Sequence, residues 1–142
     1  MVHREIKPGN ILIDHAGRPH ITDFGLAKRE TQLGIHCDWI RRDCRDAVVY
    51  LSPEQAEGKF GSIDARSDVY SQGAVLYELL AGQPVFQSDP REAIHKILSV
   101  DPPALSTQAK GVHPDLETVC HKRLEKVPKD RYETGAQFCL LL

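Results

Sequence analysis

His3-Arg4-Glu5-Ile6-Lys7-Pro8-Gly9-Asn10 places a carboxylate, an ammonium and an amide in one short loop, and a two-stranded unit follows it directly. Asn10-Ile11-Leu12-Ile13-Asp14 is apolar and β-prone, the residues from Asp14 to Gly17 are turn-like, and Pro19-His20-Ile21-Thr22 starts a second strand that runs into Asp23-Phe24-Gly25. This pattern predicts a small β-hairpin with Asn10 ahead of one strand and Asp23 behind the other. Two oxygen donors placed this way could meet at one hard cation.

Downstream of the hairpin the periodicity disappears. From Leu26 to Val49 the chain is polar and charged, includes Arg41-Arg42, and reads as a long irregular segment; loops of this length in a compact domain are usually functional or disordered. The Arg41-Arg42 pair reads as a solvated loop face. Thr31 is the sole hydroxyl-bearing residue between Gly25 and Tyr50; it reads first as a plain loop residue, and as the one candidate phosphosite of that segment.

The second half predicts helices. Residues 64–68 lead into Val69, Ala74, Val75, Leu76, Leu79 and Leu80, apolar on most of the helix circumference as a buried central helix would be, and Gly82 stops it. Residues 90–98 form a shorter amphipathic helix with Asp89 as N-cap. A linker runs from Asp101-Pro102-Pro103 to Val112. His113-Pro114-Asp115 opens a third helix that carries Leu116, Val119, Cys120 and Leu124 and ends at Pro128, and a last helix begins near Thr134. The fold class is therefore mainly α, with one short hairpin near the start.

Size and composition are those of a single globular domain: 142 residues, 41% hydrophobic and 27% charged. A net charge of −2 supplies no bulk attraction to nucleic acid or anionic membrane. The longest apolar run, Gly73 to Ala81, is too short to span a bilayer and is interrupted by Glu78, and the first residues lack the apolar core of a signal peptide, so the expected location is cytoplasmic. Cys37, Cys44, Cys120 and Cys139 form no CxxC pair and read as free thiols. His36 and Cys37 near Cys44 have no second closely spaced ligand pair to complete a zinc site.

Three motifs then combine in order. The loop 3–10 differs by one letter from H-R-D-L-x-x-x-N, Asp23-Phe24-Gly25 reads D-F-G, and Ser52-Pro53-Glu54 stands where A-P-E belongs. The chain resembles the C-terminal lobe of a protein serine/threonine kinase over nearly all of residues 2–142. It is closest to the bacterial eukaryotic-like type, whose wording is matched by residues 50–55, 67–71 and 129–132. The resemblance implies phosphoryl transfer from ATP to protein Ser/Thr, with Mg2+ as the metal. Glu5 would stand at the position of the proton-accepting Asp, Lys7 near the transferred phosphoryl group, and Asn10 and Asp23 as magnesium ligands. Arg4 would pair with a phosphorylated or acidic residue of the activation segment. Glu54 would form a structural ion pair with Arg131, and Asp68 would brace the catalytic loop from the central helix.

Departures from the family pattern bear on catalysis. Glu5 keeps the carboxylate but lengthens it by a methylene, and a displacement of about 1 Å in a catalytic group can cost about a hundredfold in rate. Kinases of this type read Gly-Thr shortly before the Tyr of Y-x-x-P-E, with the Thr hydroxyl joining the catalytic Asp and Lys; Asp46 and Ala47 stand there instead. The sequence holds no G-x-G-x-x-G, no V-A-I-K lysine and no partner glutamate, which belong to the N-terminal lobe. The expectation is a partial kinase domain over residues 1–142 with the N-lobe absent, whose ATP and Mg2+ use is inherited by resemblance and whose own catalysis is lost. The alternative is a non-catalytic, pseudokinase-type interaction module that docks a protein partner.

Overall fold

Asp64, Asp89 and His113 each open a helix by accepting a hydrogen bond from a backbone N–H that has no intrahelical partner. The computed structural model of the chain describes residues 2–23 and 45–138. In it Asp64 accepts from the Arg66 N–H at 2.7 Å and starts α3, Ala65–Ala81. Asp89 accepts from Arg91 and Glu92 at 2.9 and 3.2 Å and starts α4, Pro90–Ser99. The His113 ring accepts from Asp115 at 3.2 Å and starts α6, Pro114–Arg123. Proline at the first position of α4 and α6 removes a donor that would otherwise be orphaned. Gly82 ends α3 in the left-handed conformation, φ 73°, with its N–H on the Glu78 carbonyl at 2.8 Å.

The core gathers around α3. Tyr70 and Tyr77 are buried with Ile97 of α4, Cys120 of α6, Leu105 and Leu124. At Gly73 the approach is close: an added Cβ would lie 2.7 Å from the Arg123 Cβ. Glycine at that position lets α6 lie directly on α3, and the Cys120 thiol reaches the Gly73 carbonyl at 3.5 Å. Burial pushes that thiol up to about 12. It is a free cysteine.

Strands β1, Ile11–Ile13, and β2, Pro19–Ile21, pair antiparallel with Leu12 opposite His20. Asp14 organises the turn between them. Its carboxylate accepts from the backbone of Ala16 and Arg18 at 2.8 and 2.9 Å, and from the side chains of His20 and Arg18 at 3.0 and 2.8 Å. These bonds, His20 first, hold it down at about 2.

The structure adds to or corrects the sequence reading in several places. Residues 45–48 and 53–56 form single-turn helices, α1 (Arg45–Val48) and α2 (Pro53–Ala56). The linker read across 101–112 contains α5, Leu105–Gln108, fixed by the complete burial of Leu105. Helix α6 ends at Arg123, and Pro128 opens a separate 3-10 turn, Pro128–Asp130. Near Thr134, where the sequence reading starts a last helix, the described residues form a 3-10 turn, Gly135–Phe138; the rest of that expected helix lies outside the described residues. Helix α3 is also not buried all round, since Leu79 is 76% exposed. Thr31, the Arg41-Arg42 pair, His36, Cys37, Cys44 and Cys139 lie outside the described residues.

Candidate active site

The loop 3–10 is held from below by one carboxylate. Asp68, in the first turn of α3, accepts from the His3 N–H at 2.7 Å and from the Arg4 N–H at 2.8 Å. Arg4 adopts a left-handed backbone, φ 70°, which costs a non-glycine residue on the order of 1–3 kcal/mol and persists where neighbours over-determine it. On its other side the Arg4 carbonyl accepts from Gln55 Nε2 at 2.8 Å. The His3 ring ties the loop to the end of the hairpin. Its Nδ1 accepts from the Glu5 N–H at 3.3 Å, so Nε2 carries the proton facing the Thr22 carbonyl at 3.0 Å. Ile6 anchors the middle of the loop in the core.

Glu5 and Lys7 stand side by side. The Lys7 ammonium donates to Glu5 Oε1 at 2.8 Å, with side-chain exposures of 28% and 12%, so this ion pair is only partly open to water. Both line a small pocket with Ala47, Tyr50, Leu51 and Ser71. Ala47 is buried and contributes only a methyl group to that wall. Two hydrogen bonds fix the pocket's lining to α3: the Tyr50 hydroxyl donates to Glu78, and the Ser71 hydroxyl donates to the Tyr50 carbonyl at 2.8 Å.

Asn10 and Asp23 flank the hairpin. Asn10 is buried, and its Nδ2 donates to the Glu5 carbonyl at 2.9 Å, which leaves the amide oxygen as the atom able to meet a ligand. The Asn10 carbonyl accepts from the Thr22 N–H at 2.8 Å, one residue before Asp23. Asp23 is exposed and left-handed at φ 65°. An amide oxygen and a carboxylate brought to one end of a hairpin have the donor chemistry of a hard divalent cation.

Glu54 and Arg131 lie away from this pocket. Arg131 Nη1 and Nη2 donate to the two Glu54 oxygens at 2.8 and 2.9 Å, and the Ser67 hydroxyl adds a bond to Oε1 at 2.6 Å. The other guanidinium donors go to the carbonyls of Glu125, Arg66 and Lys126. All five N–H groups of the fork are thus satisfied, and the group lies over the Tyr70 ring at 5.0 Å. Burial raises the Glu54 carboxyl, but hydrogen bonds from Arg131 and Ser67 and the Arg131 charge outweigh it, leaving the group below its ordinary value.

Three participants escaped the sequence reading. Ser67 and the Tyr50–Glu78 pair give no local signal, since each depends on long-range packing. Gln55 was open to detection: Ser52-Pro53-Glu54-Gln55 has the capping-box spacing, and Gln55 Oε1 accepts from the Ser52 N–H and hydroxyl, both at 3.1 Å.

The geometry joins a polar loop, two oxygen-bearing side chains at one end of the hairpin and a buried brace, and comparison with known proteins gives that combination its family. The family model described as protein kinase domain matches residues 1–139. The chain belongs to the protein kinase family. Its mainly helical fold with a hairpin at the catalytic loop is that of the kinase C-terminal lobe. It is 41% identical over 138 residues to the serine/threonine-protein kinase PknB of Mycobacterium tuberculosis, covering 96% of this chain and 22% of that protein. PknB of Mycobacterium leprae is 40% identical over 142 residues, with 96% and 22% covered. A probable PknB of Bifidobacterium longum is 38% identical over 141 residues, with 97% and 20% covered. The chain thus spans about a fifth of the length of these curated relatives. Among the described residues no helix is long and apolar enough to cross a membrane.

Proposed function

We propose that this kinase C-lobe derives from a serine/threonine kinase that moves the γ-phosphoryl group of ATP to a protein hydroxyl, and that its present side chains no longer sustain that reaction. Glu5 takes the position that accepts the substrate proton, and Lys7 lies next to the transferred group. Asn10 and Asp23 hold Mg2+, which when bound neutralises charge on the phosphates. Arg4 meets an acidic or phosphorylated residue of the activation segment, and Asp68, Glu54 and Arg131 keep the lobe in shape.

The observation that carries the loss of activity is the Glu5–Lys7–Ala47 arrangement. The lengthened Glu5 carboxylate is bonded to Lys7 at 2.8 Å, and Ala47, on the wall of the same pocket, brings no hydroxyl to orient either of them. Phosphoryl transfer depends on positioning, so both changes act on the term that matters most. The 142 residues also contain no glycine-rich loop and no V-A-I-K lysine, so on their own they hold at most half of a nucleotide site.

A docking role for protein partners is favoured by what remains intact. The Asp68 bonds to the loop and the five-donor Arg131 brace preserve the lobe's shape, while the changed positions Glu5 and Ala47 both line the pocket. The deciding assay is ATP-dependent phosphorylation of generic serine/threonine substrates by the purified chain beside an Asp23→Ala control. The expected result is no difference between the two; turnover above the control overturns the proposal.

A further inference from the structure

The Arg4 peptide is gripped from both sides, and the second grip comes from outside the loop and its helix. Asp68 takes the His3 and Arg4 N–H groups at 2.7 and 2.8 Å, which fixes one edge of the backbone. These two bonds alone do not settle which way the following carbonyl turns. That carbonyl accepts from Gln55 Nε2 at 2.8 Å, across 51 residues of sequence. The opposite end of the Gln55 amide is locked in turn, because Oε1 accepts from both the N–H and the hydroxyl of Ser52 at 3.1 Å. Ser52 is fully buried, so Gln55 works from a fixed base.

Arg4 is left-handed at φ 70°, a conformation that a side-chain-bearing residue keeps only under constraint. The next residue is Glu5, and the direction of its Cα–Cβ bond follows from the Arg4 torsions.

We propose that Gln55 is a positioning residue for the catalytic loop: by donating to the Arg4 carbonyl from the cap of α2 it holds Arg4 left-handed and thereby aims the Glu5 side chain at Lys7 and the pocket. The role extends the reading of Glu5 as the proton-accepting position and rests on it, whereas the backbone clamp itself does not. It also couples the segment around Ser52 to the loop, so a shift of α2 is passed to Glu5 through one hydrogen bond.

Two substitutions divide the amide's functions. Gln55→Glu keeps an oxygen for Ser52 and sets a carboxylate oxygen, which cannot donate, against the Arg4 carbonyl. Gln55→Lys keeps a donor within reach of that carbonyl and removes the acceptor from Ser52. Gln55→Ala removes both. Amide hydrogen exchange of the isotopically labelled full chain, read by NMR, reports the clamp at the Glu5 N–H, which shares its peptide unit with the Arg4 carbonyl and donates to His3 Nδ1, with α3 amides as the internal standard of folding.

The clamp predicts that Gln55→Glu and Gln55→Ala speed exchange at Glu5 by at least about tenfold relative to α3, while Gln55→Lys stays near wild type at that amide. Rescue by lysine distinguishes positioning from a general structural role, because lysine does not restore the Ser52 cap. Unchanged exchange in a folded Gln55→Glu chain overturns the proposal. If Gln55→Glu does not fold, Gln55→Lys against Gln55→Ala decides, and equal exchange in that pair overturns it. These measurements are independent of turnover, so failure of the clamp and failure of the kinase reading appear in different experiments.

Discussion

Arg131 lays both arms of its guanidinium on the two oxygens of Glu54, at 2.8 and 2.9 Å, with side-chain exposures of 0% and 5%. The pair joins α2 to the turn that follows α6 and closes the lobe across 77 residues of sequence. Removing one member leaves the other charge buried without its counter-charge. Arg131→Ala should therefore cost about 3–5 kcal/mol of folding stability in urea denaturation. Arg131→Lys should recover only a part, since an ammonium cannot form the two parallel bonds.

The same pair gives a pH dependence of known sign. The Glu54 carboxyl is held below its ordinary value of 4.5 in the folded chain. Its contribution is therefore fully present above about 4.5, and it is lost as pH falls below that value through the folded pKa. Stability measured from pH 6 down to pH 3 should fall more steeply in wild type than in Glu54→Gln. Parallel curves for the two proteins would contradict the assignment.

Gly73 offers a test in which two effects oppose each other. Alanine in a helix interior is favoured over glycine by about 1 kcal/mol. Here the added Cβ would sit 2.7 Å from the Arg123 Cβ, at the end of α6, and 3.3 Å from the Cγ of Leu124, the residue that follows it. Overpacking costs about 1–3 kcal/mol, so Gly73→Ala should be net destabilising in chemical denaturation. A stabilised variant would mean that α6 moves away at no cost.

Much of this architecture is legible in the sequence because its signals are local. Asp64, Asp89 and His113-Pro114 mark helix starts, Gly82 marks an end, and the turn at Asp14 to Gly17 sets the hairpin. Helices α1, α2 and α5 are single turns and too short to show a 3.6-residue period; Leu105 forms its turn because tertiary burial holds it there. The exposure of Leu79 is likewise a matter of which neighbours pack on α3, which an apolar letter does not record. At the site, the motif letters pick out Glu5, Lys7, Asn10, Asp23 and Asp68, whereas the Gln55 bond to Arg4 depends on a tertiary approach between α2 and the loop.

Lys126 carries a second pH prediction. Burial lowers its ammonium to about 8 from 10.5, although the Asp101 charge opposes the shift. The group lies 5.0 Å from the Phe86 ring centre and donates to the Lys96 carbonyl at 3.4 Å. Between pH 8 and 10.5 the unfolded chain holds a proton that the folded chain has released, so this residue's contribution improves as pH rises through that window. Lys126→Met should be more stable than wild type at pH 7, and the gap should narrow by pH 10. Comparing the two proteins cancels the opposite trend from the Cys120 thiol, whose folded value lies near 12. A gap that stays constant with pH would contradict the assignment.

The most direct test of the central claim is to complete the site and restore it. An N-lobe and connecting helix from a related bacterial kinase would be fused ahead of Val2, with and without Glu5→Asp and Ala47→Thr together. Autophosphorylation would then be measured against an Asp23→Ala control. Asn10, Asp23, Lys7 and the Glu54–Arg131 brace are already in place, so the doubly substituted fusion should phosphorylate itself. The fusion without the substitutions should be slower by at least about a hundredfold. Equal rates with and without the two substitutions would contradict the claim that Glu5 and Ala47 disable the site.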